Sequence, residues 1–308
     1  MTVTPKLRLG TRRSPLAMAQ AHEARARLCK AHGWDESAVE LVPVLASGDK
    51  VQDRPLAEIG GKALWTKELD ACLEDGRIDG AVHSLKDVET IRPDWLTIAA
   101  VLPRADVRDV LLGAASIRGI PEGARVGTSA PRRAAQMLYR RPDVQVVPIR
   151  GNVATRISKL AAGEADVTLL AAAGLERLGE TGTGHPLETS DWLPAPAQGA
   201  IGIECRADAA QTREWLSAVD HAPSRAEVMA ERALLAGLGG SCQSPIAVLT
   251  RSDGAHLAMT AALFSADGAE RVEGTATFTA GDHAAAGRLA ADLLARATPG
   301  IAALFSGP

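Results

Sequence analysis

Short apolar runs alternate along most of this chain with longer stretches in which apolar side chains recur every three or four positions. Ala81-Val82-His83, Val110-Leu111-Leu112 and Val167-Thr168-Leu169-Leu170 are of the first kind; the alanine-rich runs Ala17 to Ala26 and Ala134 to Leu138 are of the second. Apolar strands separated by helical segments suit sheets covered on both faces, so the alternation predicts α/β domains on largely parallel sheets. The pattern pauses at Pro194-Ala195-Pro196-Ala197-Gln198-Gly199 and restarts with Ile201-Gly202-Ile203-Glu204-Cys205, and Ala226 to Leu238 reads as an amphipathic helix. From Ile246 the period shortens. Leu257 to Phe264 and Arg271 to Phe278 read as strands and His283 to Ala297 as a helix, a separate α+β module.

The first two segments repeat. Leu7-Arg8-Leu9-Gly10-Thr11-Arg12-Arg13-Ser14-Pro15 parallels Arg125-Val126-Gly127-Thr128-Ser129-Ala130-Pro131-Arg132-Arg133, each reading as strand, turn and helix start. Downstream, Glu40-Leu41-Val42-Pro43-Val44 resembles Val144-Gln145-Val146-Val147-Pro148-Ile149. Leu73 to Val82 likewise resembles Leu160 to Leu169, in the same order. The run from Pro43 to Gly76 is about twice as long as its counterpart, so the first half carries an insertion. Ser47 through Lys62, polar and glycine-hinged, fits a lid. Helix starts present unpaired N–H groups and a positive dipole end, and arginines added there make sites for carboxylates or phosphates. Ligands of such sheets sit beyond the carboxyl ends of the strands, where these turns lie. Two related turns suggest two halves facing one anionic ligand.

At 308 residues and 46% hydrophobic content the chain can build two or three domains with real cores. No stretch approaches a transmembrane span, and Met1 to Lys6 lacks the apolar run of a signal peptide, so a cytoplasmic protein without a membrane partner is expected. Cys29, Cys72, Cys205 and Cys242 are scattered, with no C-x-x-C pair, so neither a metal site nor a disulfide framework is expected. Net charge −3 and a single tyrosine argue against a nucleic-acid partner. Arginine outnumbers lysine throughout, so only its clustering at strand ends is informative.

In Val82-His83-Ser84-Leu85-Lys86-Asp87, a strand runs out into polar residues, with Ser84 and Lys86 on one face if the strand persists and Asp87 at the turn. A carboxylate there can serve a leaving group as proton donor, or close the strand as an ion pair. Arg150 leads into the Gly151-Asn152 turn; Arg156 and Arg177 fall in helical patterns, where solvated arginines are common. Cys242 lies in the glycine-rich loop Leu238-Gly239-Gly240-Ser241-Cys242-Gln243-Ser244-Pro245, whereas the other cysteines fall in helices or a strand. An accessible thiol can act as a nucleophile, or have no role.

Thr11-Arg12-Arg13-Ser14-Pro15-Leu16-Ala17, Gly60-Gly61-Lys62-Ala63-Leu64-Trp65, Val82 to Val88, Arg150-Gly151-Asn152-Val153, Gln198-Gly199-Ala200 and Cys242-Gln243-Ser244-Pro245-Ile246 stand in the order and spacing of the porphobilinogen deaminase, or hydroxymethylbilane synthase, family. The chain resembles that family over nearly its whole length. The resemblance implies two duplicated periplasmic-binding-protein-like domains around a cleft plus a smaller C-terminal α+β domain. Their expected extents are 1–102 with 198–219, carrying the lid 47–62 and the catalytic aspartate; 103–197, carrying an arginine-rich anion-binding face; and 220–308, carrying the cofactor cysteine. It implies a transferase that condenses four porphobilinogen molecules head to tail into hydroxymethylbilane, releasing ammonia, in haem, chlorophyll and cobalamin biosynthesis. One dipyrromethane cofactor per chain would be attached as a thioether to Cys242. Asp87 matches the catalytic aspartate. By the same match, Arg12, Ser14, Lys62, Ser84, Lys86, Thr128, Ser129, Arg132, Arg133, Arg150, Arg156, Arg177 and Gln198 bind cofactor or substrate, and Asp49 and Trp65 belong to the lid. The substrate's acetate and propionate groups account for so many forked donors. A monomer is expected.

The chain departs from the family pattern at Ala130, where Ser is usual, at Pro131, at Trp65, where Phe is common, at Glu58, where some members have Lys, and at Ser241 and Ser244 beside the cysteine. Two other readings stay open at this level: a binder of a small polycarboxylate, suggested by the duplicated halves, and a nucleic-acid binder using the arginine turns.

Overall fold

The computed structural model describes residues 4–46 and 65–305. They divide into two compact units: Met1–Ala105 with Ala200–Arg225, and Asp106–Gly199 with Ala226–Pro308.

In the first unit, β1 (Leu7–Arg12) leads into α1 (Pro15–His32). Ser14 caps α1 by accepting the Ala17 N–H, Pro15 presets the first helical φ, and Gly33 ends the helix in the left-handed conformation at φ 63°. β2 (Val39–Val44), α2 (Lys67–Glu74), β3 (Gly80–Ser84), β4 (Leu96–Val101) and the later β10 (Ile201–Arg206) complete a five-stranded sheet in the order β2-β1-β3-β10-β4. Leu7, Leu9, Val82, Ile201 and Ile203 pack on one face against Ala21, Ala24 and Leu28 of α1; Ala81 packs on the other with Leu69 and Leu73 of α2. α6 (Ala210–Ser217) adds Leu216 to the first face.

The second unit repeats this plan with β5 (Asp109–Leu112), β6 (Arg125–Gly127), α3 (Pro131–Arg140), β7 (Gln145–Val147), α4 (Val153–Ala161), β8 (Val167–Ala171), α5 (Ala172–Arg177) and β9 (His185–Pro186). Its strand order, β7-β6-β8-β5-β9, superposes on the first in pattern. In each five-stranded sheet four strands share one direction and the fifth, β10 or β5, runs antiparallel to both its neighbours. The expectation of largely parallel sheets therefore holds, with one antiparallel strand inserted in each. β5 and β10 lie outside the strand-helix-strand repeat, so no crossover helix sets their direction.

The duplication extends to single contacts. Asp79 accepts the Arg8 backbone N–H at 2.8 Å and its guanidinium at 2.7 Å; Asp166 does the same for Arg125 at 2.7 and 2.9 Å. A Cβ on Gly10 would stand 2.3 Å from Ile78 Cδ1, and one on Gly127 2.4 Å from Ile149 Cδ1, so at both equivalent positions a larger residue would displace the isoleucine packed against the strand.

The remainder of the second unit is the α+β module. α7 (Ala222–Gly237) precedes the antiparallel β11 (Ile246–Ser252), β12 (His256–Phe264) and β13 (Arg271–Thr279), and α8 (His283–Arg296) and α9 (Pro299–Ala302) follow. Leu234, Leu238, Val248, Met259, Leu263, Leu289 and Leu293 form its core. Ala135 of α3 packs with Ala247, Ala262 and Phe264 of this sheet.

Candidate active site

The first unit carries a cavity of about 50 Å3 where β1 and β3 end, lined by Arg12, Ser14, Leu16, Ala17, Gln20, Trp65, Val82, His83, Ser84, Asp87 and Val88. Each polar group arrives there for a local reason. Arg12 is the last residue of β1, and Ser14 the cap of α1; because Ser14 Oγ accepts the Ala17 N–H at 3.3 Å, its own O–H can still donate. β3 ends at Ser84, and Leu85–Asp87 turn as one 3-10 segment. The strand therefore does not persist, and the expected shared face of Ser84 and Lys86 is corrected: a tight turn replaces alternation there. Asp87 reaches the cavity from that turn, half-buried, with Lys86 beside it.

Gln20 escaped the sequence reading. It is 4% exposed, and its amide and the Ser84 hydroxyl hold each other, Nε2 donating to Oγ at 2.7 Å and Oγ donating to Oε1 at 3.0 Å. The signal was a polar residue inside the buried stripe Ala17, Gln20, Ala21, Ala24, Leu28 of α1. Behind the cavity lies a buried ionic cluster, also unforeseen. Arg92 binds Glu204 twice at 3.0 Å, Asp70 at 2.6 Å and Glu89 at 2.7 Å, and Thr66 Oγ1 donates to Glu89 at 2.9 Å. His83 Nε2 stands 3.3 Å from Glu204 Oε2, off the direction of a hydrogen bond. Burial alone would raise the Glu204 carboxyl; His83 and Arg92 outweigh it and hold the group down to about 2. A charged residue within the apolar strand Ile201-Gly202-Ile203-Glu204-Cys205 was the available signal.

The strand-end residues of the second unit divide into two groups. Thr128 Oγ1 accepts the Ala130 N–H at 3.2 Å, and Ser129 Oγ donates to the Ile149 carbonyl at 3.0 Å. Ala130 stands at the α3 N-cap with no side-chain cap, so the departure from Ser leaves that helix start without the bond Ser14 supplies to α1. Arg150 is half-buried just before Gly151, whose φ is 115°; Arg156 Nε donates to the Gly151 carbonyl at 2.9 Å, and Arg177 Nη2 to that of Gly199 at 3.1 Å.

Arg132, Arg133 and Gln198 form the other group and turn inward. Asp109, wholly buried on β5, accepts Arg132 Nη2 at 2.8 Å, Arg133 Nη2 at 2.7 Å and Nε at 3.2 Å, Trp192 Nε1 at 2.8 Å and Gln198 Nε2 at 2.9 Å. Burial alone would raise this carboxyl, but Arg132 and Arg133 hold it far below the usual carboxylate range. Arg132 and Arg133, each 5% exposed, and the fully buried Gln198 thus direct these donors to Asp109. A charge at the head of a buried strand draws the nearest donors inward.

Cys242 is exposed in the turn after α7, while Cys29, Cys72 and Cys205 are buried. Burial raises the thiols of all three, that of Cys205 to about 11, so none is a ready thiolate. Lys62, Asp49 and the expected lid 47–62 lie outside the described residues, as does Glu58. Among the described residues no cluster of His, Cys, Asp and Glu could hold a metal, and no helix is long and apolar enough to cross a membrane.

Comparison with known proteins decides the family. The family model described as "Porphobilinogen deaminase, dipyromethane cofactor binding domain" matches residues 7–214, and that described as "Porphobilinogen deaminase, C-terminal domain" matches residues 225–296. The chain is 57% identical over 307 residues to the porphobilinogen deaminase of Sphingopyxis alaskensis, covering 97% of this chain and 96% of that one. It is 48% identical to that of Paracoccus denitrificans, covering 94% of each. This chain belongs to the porphobilinogen deaminase family. It is a transferase of tetrapyrrole biosynthesis, taking porphobilinogen to hydroxymethylbilane with a dipyrromethane cofactor. Among solved structures, the periplasmic VFT2 domain of Bordetella pertussis BvgS is 15% identical with a TM-score of 0.40, over 69% of this chain and 86% of that one.

The residues present fit a dipyrromethane. A pyrrole bearing carboxylates needs cationic and hydroxyl donors for its side chains and an acceptor for its ring N–H. Arg12, Ser14 and Asp87 offer these around one cavity, and the exposed thiol of Cys242 is open to alkylation.

Proposed function

We propose that the cavity at the ends of β1 and β3 holds the reacting pyrrole, with Asp87 as the catalytic group and Arg12, Ser14, Ser84 and Lys86 as its binding side chains. The observation that carries this reading is that a guanidinium and a carboxylate, Arg12 and Asp87, line the same cavity. The guanidinium fixes a substrate carboxylate, so the ring N–H and the aminomethyl group fall to the carboxylate. The Asp87 carboxyl gives its proton to the departing amine nitrogen as the C–N bond breaks; the carboxylate so formed accepts the pyrrole N–H, faces the positive charge that spreads over the ring, and takes up the proton that the attacking ring carbon sheds once the C–C bond has formed. Two pyrrole units carried on the protein supply, when bound, the electron-rich ring carbon that attacks the substrate methylene.

Cys242 is the proposed attachment point, supported by its exposure against three buried, raised thiols. In the second unit, Thr128, Ser129, Arg150, Arg156 and Arg177 are proposed to bind carboxylates from the strand-end turns. A monomeric, cytoplasmic protein goes with this proposal.

Single-turnover kinetics with porphobilinogen on cofactor-loaded protein tests the role of Asp87. Asp87→Asn keeps the shape and loses the charge, so turnover should fall by roughly 10²–10⁴ with unchanged thermal unfolding, and Asp87→Glu should retain more. Near wild-type turnover in Asp87→Asn, or loss only through unfolding, would make Asp87 a turn-closing residue instead.

A further inference from the structure

We infer that Trp65 is a positioning residue for Arg12, setting how tightly the cavity holds a substrate carboxylate without touching the chemistry. The guanidinium carbon of Arg12 lies 4.0 Å from the centroid of the Trp65 ring, and both side chains line the cavity that contains Asp87. A guanidinium has two faces and an edge. Stacking one face on an indole satisfies the ring's electrostatics and fixes the guanidinium plane, while the N–H groups lie in that plane, outside the stack, in the direction from which a carboxylate is bound two-pronged. Ring and carboxylate therefore bind Arg12 together rather than in competition.

The indole is itself held. Thr66, the next residue, is fully buried, and its Oγ1 donates to Glu89 and accepts Arg92 Nη1 at 3.3 Å, so the backbone that carries Trp65 is tied to the ionic cluster behind the cavity. Arg12 is tied through β1, paired in register with β2. The two partners thus come from two anchored elements, which is what a preorganised binding group requires. Trp stacks on a cation more strongly than Phe, so Trp65 holds Arg12 more stiffly than a Phe at this position would.

The inference rests on the reading that this cavity binds the substrate's carboxylates, and the experiment separates the two. Trp65→Leu, Trp65→Phe, Arg12→Leu and the Trp65→Leu/Arg12→Leu double variant are compared as holoproteins, cofactor loading being measured by intact mass. Trp65→Leu should raise KM for porphobilinogen about three- to thirty-fold, the range of a desolvated cation–π contact, with kcat within about twofold. Trp65→Phe should recover most of that loss. Once Arg12 is gone, removing Trp65 should add little. Without substrate, the Trp65 share of the fluorescence, taken against Trp65→Phe, should shift in Arg12→Leu, because the stacked cation has left.

A fall in kcat at unchanged KM, additive losses in the double variant, or no fluorescence shift would each overturn the positioning role. If Arg12→Leu itself leaves KM and cofactor loading unchanged, the cavity reading fails instead, whatever Trp65 does.

Discussion

Replacing Asp109 by Asn tests whether the inward turn of Arg132 and Arg133 is structural. The amide keeps the shape, but its one oxygen can accept from only one of Trp192 Nε1 and Gln198 Nε2, which use different carboxylate oxygens, and it leaves two guanidinium groups, each about one-twentieth exposed, without their counter-charge. Breaking a buried pair in this way costs about 3–5 kcal/mol. At about 2–4 °C per kcal/mol for a body of this size, the melting temperature of the second unit should drop by roughly 6–20 °C. Urea unfolding followed by the emission of Trp192, whose indole donates to the substituted carboxylate and is fully buried, reports the change where it occurs. The paired control is Asp166→Asn, an Arg–Asp contact of similar length in the same unit, but with both side chains 42% exposed; its midpoint should stay with the wild type. Equal midpoints for the two variants would refute the structural role of the Asp109 cluster.

Arg150→Leu should reduce the fraction of protein carrying the dipyrromethane mass, while Arg140→Leu, which removes an exposed side chain bonded to the Asp191 carbonyl, should not. Equal loading in the two would reduce Arg150 to composition. Acid should act through Glu204: its folded carboxyl lies at about 2 against an ordinary 4.5, so its contribution is present above pH 4.5 and is lost as pH falls toward 2. Acid unfolding of the wild type should be steep in that window and flatter in Glu204→Gln; identical slopes would remove the cluster from the account.

Local periodicity and turn chemistry carried much of the fold into the sequence. The turns after β1 and β6, the alanine-rich helices after them and the period-two strands from Leu257 to Phe278 each fall where the pattern predicts, because each depends on neighbours a few positions away. The direction of β5 and β10 was not legible, since it depends on where a strand inserts rather than on its own residues. Motifs named the cavity residues Arg12, Ser14, Ser84 and Asp87 but did not foresee the buried carboxylate that gathers Arg132 and Arg133. Arg132 and Arg133 sit in the same kind of turn as Arg12, and only Asp109, more than twenty positions upstream, pulls them inside. Gln20, His83, Arg92 and Glu204 went unread for the same reason: Ser84 lies 64 positions from Gln20, and Glu204 lies 112 from Arg92.

The central claim is that this chain builds a dipyrromethane and carries it on Cys242. Intact mass followed by peptide mapping of protein expressed with porphobilinogen available tests it directly. One increment of two pyrrole units, on the peptide containing Cys242 and absent from Cys242→Ser, is the predicted result. A bare chain, or the increment on Cys29, Cys72 or Cys205, would contradict it.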